Sequence, residues 1–195
     1  MTRMPPSSGG PSVSPAALTL EPPERLSGHH DVTSFAAGPE DLGGQGEWLK
    51  HSALANDRDG TTRTFVACFS GTRRVAAFYG LAAASIVRAD LPRALRPHGT
   101  PTAVPAILIA RLAVHQDLQG QGLGKSVLVS ALDRCLTILD HVAFRVIVVD
   151  AAGLRARRLY ERFEFRAVAS DDLPNRLVLP TGMAIKLLRP AGAGE

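Results

Sequence analysis

The stretch AILIARLAVHQDLQGQGLGKS, residues 106–126, constrains this chain more than any other. Residues 106–114 are apolar apart from Arg111 and read as a buried strand. Downstream, Leu123, Val127, Ala131, Cys135 and Leu139 repeat along one face, with Leu128, Leu132 and Leu136 beside them, so residues 123–140 form a helical stripe. Between strand and helix stand Gly120, Gly122 and Gly124. Glycines this dense cost backbone entropy. They also let successive N–H groups curl inward as an anion nest, to which a helix N-terminus adds its partial positive charge. A glycine-rich turn without a ligand is the alternative.

Three phosphate loops look alike here. A P-loop needs four residues between its glycine and Gly-Lys-Ser/Thr. Gly120 leaves three before Gly124, Lys125 and Ser126, and Gln119 stands where the first glycine belongs. A dinucleotide fingerprint needs GxGxxG. From Gly120 the spacing is GxGxG, and from Gly122 the sixth place is Val127. NTPase and dehydrogenase chemistry are thereby excluded. The remaining pattern, Gln/Arg-x-x-Gly-x-Gly/Ala, fits Gln119, Gly122 and Gly124 and suits a pyrophosphate. Gly120, Gln121 and Leu123 complete the cradle, and Lys125 adds a charge beside it.

FRVIVV, residues 144–149, reads as a second buried strand, followed by a helix over residues 154–163 that buries Ala156, Leu159, Tyr160 and Phe163. The order strand, loop, helix, strand, helix places two parallel strands in the middle of a mixed sheet. Upstream, ALTLEPPERL reads as a strand interrupted by Pro22 and Pro23, and residues 46–56 as a helix with Trp48, Leu49 and Ala53 on its apolar face. TRTFVACFS and RRVAAFYGLAAASIV form a hairpin turning at Gly71. A Pro-rich loop then carries Arg88, Arg93 and Arg96, and strands near FEFRAVA and RLVLPTGMAIKLL close the chain. The expectation is one α/β domain over residues 18–188. Residues 1–17 read as a disordered leader and residues 189–195 as a flexible tail, on their Pro, Ser and Gly content.

No apolar run reaches the roughly 18 residues that span a bilayer, and the N-terminus has no apolar signal core. Cys68 and Cys135 sit singly in apolar stretches and read as buried thiols. No CxxC or Cys/His spacing points to zinc, so no metal is expected, and the natural location is the cytoplasm. The net charge is +4, and only Lys50, Lys125 and Lys186 among the 22 basic residues are lysines. Arginine forks match phosphate oxygens, so a polyanionic partner fits, as does the codon bias of a GC-rich genome.

ARLAVHQDLQGQGLG, the helix after it, VIVVDA and ARRLYERFEF together resemble the GNAT superfamily of acetyl-CoA-dependent N-acetyltransferases. The resemblance implies a central mixed, mostly antiparallel sheet flanked by helices, with a parallel pair splayed around acetyl-CoA. It implies that the backbone of Leu112, Ala113 and Val114 pairs with pantetheine and that residues 119–125 hold the pyrophosphate. Asp150 would orient pantetheine or cap the next helix. Spacing alone makes Tyr160 a core residue; the resemblance places it beside the thiol as a general acid. The N–H of Val114 would serve the oxyanion. An α-amine, with a pKa of about 7.7–8.0, is partly neutral already and needs no strong base. His115 reads as a surface or loop histidine rather than that base.

A closer resemblance covers most of residues 30–188. GEWLKHSALANDRDGTTRTFVA, LPRALRP, PAILIARLAVHQDLQGQGLG, VIVVDA and RLYERFEF are similar to the GNAT-type toxins of bacterial toxin–antitoxin modules. This implies acetylation of the α-amine of aminoacyl-tRNA, which blocks translation, together with a ribbon-helix-helix antitoxin and a homodimer. Arg63, Arg73, Arg74, Arg88, Arg93 and Arg96 are the candidates for tRNA contact. Arg155, Arg157, Arg158 and Arg162 form either a solvated face or a contact to the CoA 3′-phosphate or to tRNA phosphate. The alternatives are a GNAT acting on a small amine or protein amine, and a non-catalytic acetyl-CoA-binding protein or inactivated toxin remnant. Ala36-Ala37-Gly38 replaces the family's Cys-Gly, GGQG precedes the first helix, and Glu164-Phe165 replaces Gly-Phe. These departures bear on the acceptor more than on the cofactor.

Overall fold

Alternation of buried side chains along the strands divides this protein into two covered faces of one sheet. The computed structural model describes residues 20–39, 41, 43–96, 99 and 101–189, so the expected leader and nearly all of the expected tail lie outside the described residues. The strands are β1 (Glu24–Arg25), β2 (Arg63–Cys68), β3 (Val75–Val87), β4 (Ala103–Val114), β5 (Val146–Asp150), β6 (Arg166–Ala167) and β7 (Arg176–Pro180). They pair in the order β1-β2-β3-β4-β5-β7-β6. Only β4 and β5 run parallel, in the middle of the sheet, as the strand–loop–helix–strand order requires.

The helix α3 (Leu123–Leu139) covers one face. Its Val127, Leu128, Ala131, Leu132, Cys135 and Leu136 pack on Ile107 and Ile109 of β4, Ile147 and Val149 of β5, and Leu177 and Leu179 of β7. The alternate residues Val104, Ala106, Val146, Val148 and Val178 face the other way, under Ile86 and Leu91. Towards the sheet's outer strands that second face is covered by α1 (Gln45–His51) and α2 (Ala53–Arg58), which bury Leu49 and Ala53 against Phe35, Val66 and Phe78. The strand period of two thus supplies apolar contacts to both layers.

Residues 46–56 are two helices rather than one, because Ser52 leaves helical geometry at φ −121°. The turn brings Asp57 into the core edge, where it accepts from Arg25 at 2.6 Å and from the Thr64 N–H at 2.9 Å. Burial pushes its carboxyl up, but these hydrogen bonds and the Arg25 and Arg63 charges hold it below the ordinary value.

RLVLPTGMAIKLL is not one strand. β7 stops at Pro180, and α5 (Thr181–Leu188) follows. Thr181 donates its hydroxyl to the Phe144 carbonyl, and Ala184 and Leu188, one helical turn apart, pack on the α3 layer. FEFRAVA contributes only the two residues of β6, and ALTLEPPERL only a bridge at Leu20 and the two residues of β1. Both cysteines are free and buried, and burial pushes the Cys135 thiol up to about 12.

Candidate active site

A single extra residue opens the centre of the sheet. Gly80 pairs with Arg111 but Leu81 with Ile109, so Ala110 is bulged out of register. β4 then pairs with β5 only from Ala106 to Ile109, and residues 111–114 diverge from it. The His115 N–H donates to the Ala76 carbonyl at 2.7 Å, which makes Ala77 and Val114 a non-hydrogen-bonded pair. The N–H groups of Val114 and, two residues back, Leu112 therefore point away from β3 into the gap, while Ala113 is turned toward β3. The gap thus offers backbone N–H groups to an extended ligand.

The glycine loop caps the end of this gap. Gly120 and Gly122 have φ of 83° and 82°, and a Cβ at either would meet nothing within 4 Å. Among the described residues the N–H groups of Gly120, Gln121, Gly122, Leu123 and Gly124 have no hydrogen-bond partner, whereas the Lys125 N–H is taken by the Gly122 carbonyl. Positive φ at alternate residues, free N–H groups and the start of α3 together make an anion cradle. A pyrophosphate-bearing cofactor fits it by donor chemistry and by open space. Lys125 is exposed beside it.

Gln119 has a different part from the one its motif position implies. Its amide nitrogen donates to the carbonyls of Ala37 at 2.7 Å and Val114 at 3.0 Å, and its oxygen accepts from Arg155 at 3.4 Å. The side chain braces the loop against β4 and against the Ala36-Ala37-Gly38 segment. Gln121 is likewise turned back, to the Asp117 carbonyl. His115 is buried rather than on the surface, with its ring nitrogens near Ser34 O and Asp117 N and its ring edge-on to Phe35 and Phe69. It is packed as structure, not presented as a base.

The helix α4 (Leu154–Glu161) starts where β5 ends, at the same end of the sheet as the gap. A Cβ on Gly124 would lie 3.7 Å from Leu159, so the start of α3 and the body of α4 sit close together. On α4, Tyr160 is buried with its ring 5.6 Å from that of Phe165. Its hydroxyl makes no hydrogen bond among the described residues. Burial, and secondarily the charge of Asp150, push it up to about 12. Spacing and resemblance are reconciled here: Tyr160 lies in the core layer and keeps an uncommitted donor. Asp150 does not cap α4, whose N-cap Gly153 has no side chain to offer; both its oxygens accept from Arg176 at 2.8 Å.

On the other side of the gap, several residues carry polarity that the motifs left unassigned. Arg111 donates to the Gly43 carbonyl at 3.0 Å and lies 5.2 Å over the Trp48 ring, which stacks on Phe78. Asp41 accepts from the N–H groups of Gln45 and Gly46 and so fixes the start of α1. Gln45 Oε1 is buried and has no hydrogen-bond partner among the described residues. A Cβ on Gly43 would lie 3.5 Å from the Ala152 Cβ, so this segment reaches across to the β5–α4 junction. The sequence signals were a lone arginine in an apolar strand and the GGQG before α1.

The candidate tRNA arginines separate. Arg73 and Arg74 lie on the β2–β3 turn, where Arg74 covers Phe69, itself packed on His115 beside the loop. Arg88, Arg93 and Arg96 lie at the opposite end of the sheet, before β4 begins, and Arg96 is engaged by the carbonyls of Leu91 and Ala89. Arg63 is paired with Asp57. On α4, Arg157 pairs with Glu161 and Arg158 is exposed; Arg162, just past the end of the helix, is exposed too.

Comparison with known proteins adds to this geometry. A family model described as an acetyltransferase (GNAT) domain matches residues 102–187. A tRNA-acetylating toxin of Mycobacterium tuberculosis is 39% identical over 163 residues, covering 84% of this chain and 95% of that protein. The structure of AtaT complexed with acetyl-methionyl-tRNAfMet superposes with a TM-score of 0.76 at 25% identity, over 88% of this chain and 98% of that one. That of AtaTR bound with AcCoA superposes with a TM-score of 0.72 at 24% identity, over 87% and 97%.

Proposed function

The chain belongs to the GNAT acetyltransferases, and from that premise we propose that it is a toxin that moves the acetyl group of acetyl-CoA to the α-amine of aminoacyl-tRNA. The observation that carries the acceptor is the 39% identity, across nearly the whole chain, to a protein that acetylates tRNA. The geometry supports the donor. The free N–H groups of residues 120–124 receive the pyrophosphate, and the backbone of Leu112 and Val114 pairs with the pantetheine arm. The N–H of Val114 stabilises the oxyanion as the acetyl carbonyl is attacked. Tyr160 donates to the departing sulfur.

The acceptor enters from the side of Arg111, Gln45 and Trp48. An amine with a pKa of about 7.7–8.0 loses its proton to solvent before attack, so no side-chain base is required. Arg73, Arg74, Arg158 and Arg162, at the cradle's end of the sheet, meet tRNA phosphates. Arg88, Arg93 and Arg96 lie at the far end of the sheet and are left out of this contact. By the same reading the protein acts in the cytoplasm as a homodimer and is held by a ribbon-helix-helix antitoxin. Among the described residues no helix is long and apolar enough to cross a membrane.

In a cell-free translation system, the protein with acetyl-CoA is expected to stop peptide synthesis, and the protein with CoA alone to leave it running. Inhibition that does not depend on acetyl-CoA would contradict the proposal.

A further inference from the structure

Gln119 touches three separate parts of the molecule. Its amide nitrogen donates to the carbonyls of Ala37 at 2.7 Å and Val114 at 3.0 Å, and its oxygen accepts from Arg155 of α4 at 3.4 Å. Two carbonyls on one side and a guanidinium on the other fix which way the amide faces. Both of its N–H donors are thereby used inside the protein, and a phosphate, which only accepts, finds neither of them open.

The tie to Ala37 belongs to a seam. His115 Nε2 lies 3.2 Å from the Ser34 carbonyl, and the Gln116 N–H donates to the Ala36 carbonyl at 2.8 Å. Residues 34–37 are thus held along residues 115–119, the stretch that joins β4 to the cradle. Beyond the seam the chain turns at Gly38, with φ 90°, and the Gly38 carbonyl accepts from the Asp41 N–H. Asp41 in turn holds the N–H groups of Gln45 and Gly46 at the start of α1. A path of hydrogen bonds therefore runs from the cradle to the side of the gap that carries Arg111, Gln45 and Trp48. Within the seam Gln119 stands apart. His115 is a buried ring and the Gln116 contact is backbone, whereas Gln119 is a half-buried side chain next to Gly120, the first of the free N–H groups.

We propose that Gln119 is a positioning residue that couples the two substrates. An anion held by the N–H groups of residues 120–124 fixes the loop, and the loop then keeps Gln119 where its amide reaches both carbonyls. Ala37, and through Gly38 and Asp41 the start of α1, are thereby held in the arrangement that receives the acceptor. The inference rests on the reading that the acceptor enters beside Arg111 and Gln45. Such coupling is reciprocal, so an acceptor seated against α1 tightens the cradle on its ligand by the same factor.

Equilibrium dialysis of CoA, which fills the cradle and has no acetyl group to transfer, reads that factor. Total charged tRNA is expected to lower Kd for CoA in the wild-type protein by at least about fivefold, the low end of measured couplings. Gln119→Met keeps the length of the side chain and removes both donors. In this variant charged tRNA should change Kd for CoA by less than about twofold, with Kd for CoA alone and Tm close to wild type. A merely structural glutamine would lower Tm or weaken CoA alone and leave the ratio intact. An unchanged ratio in Gln119→Met, or a loss of affinity for CoA alone as large as the loss of coupling, would overturn the proposal. Wild-type protein that acetylates charged tRNA without any coupling would overturn this inference alone; wild-type protein that acetylates no charged tRNA would overturn the functional reading with it.

Discussion

Tyr160→Phe is expected to lower kcat by about 10²–10³-fold while leaving Kd for acetyl-CoA and Tm close to wild type. The magnitude is that of losing one hydrogen-bond donor aimed at developing charge. The specificity follows from the packing. The ring is buried against Phe165, and the hydroxyl has no hydrogen-bond partner among the described residues, so its removal leaves no orphaned group and no cavity. Burial pushes the phenol up to about 12, well above a thiol's ordinary 8.5. Complete proton transfer to a free thiolate would then be uphill by about 5 kcal/mol, so the role proposed for Tyr160 is to hydrogen-bond to sulfur as charge develops there. The pH profile carries the sign. Tyr160 donates only while protonated and stays so past pH 10, whereas the amine must be neutral. The rate should therefore rise with pH to about 8 and then hold level to pH 10. A descending limb between pH 8 and pH 10 that vanishes in Tyr160→Phe would contradict the assignment of the elevated pKa. A variant with full turnover would exclude the donor role.

Gly122→Val should raise KM for acetyl-CoA by about 100-fold. At φ 82° a β-branched residue is strained by about 1–3 kcal/mol. A Cβ at this position meets no protein atom within 4 Å, so the added side chain occupies the open mouth of the cradle, the place proposed for the pyrophosphate, rather than displacing structure. Strain lowers Tm by a few degrees, and lost approach to the N–H groups lowers affinity. Gly71→Val separates the two effects. Gly71 has φ 71° and an equally open Cβ direction, but it lies on the β2–β3 turn outside the loop. It should lose similar stability and keep its acetyl-CoA affinity. Equal loss of affinity in both variants would mean that strain, not the cradle, governs binding.

These two residues were legible in the sequence for different reasons. The loop announces itself locally: three glycines, an apolar strand before them and a helical stripe after them are all short-range patterns, and the structure follows them closely. Tyr160 is not separable from core packing by spacing alone, and only the resemblance singled it out. The splay was invisible, because it depends on the extra residue Ala110 falling opposite the Gly80–Leu81 step of another strand. Gln119 sat at a binding-motif position, yet its amide bridges Ala37 and Val114, one of them 82 positions away. α5 is hidden in the sequence because VLP continues a strand into Pro180, and the helical pair Ala184 and Leu188 is short. The six arginines look like one basic set in the chain, but the path of β3 carries Arg73 and Arg74 to one end of the sheet and Arg88, Arg93 and Arg96 to the other, while Arg63, beside Leu81, pairs with Asp57.

The central claim is that one cleft joins an acetyl-CoA cradle to the α-amine of a charged tRNA. Its most direct test is to incubate the protein with acetyl-CoA and total charged tRNA, release the aminoacyl adenosines with nuclease and weigh them. The claim predicts one acetyl increment on one or a few aminoacyl adenosines, placed on the α-nitrogen by fragmentation, and none with uncharged tRNA. Unmodified aminoacyl adenosines throughout, in a sample that binds acetyl-CoA stoichiometrically, would contradict it.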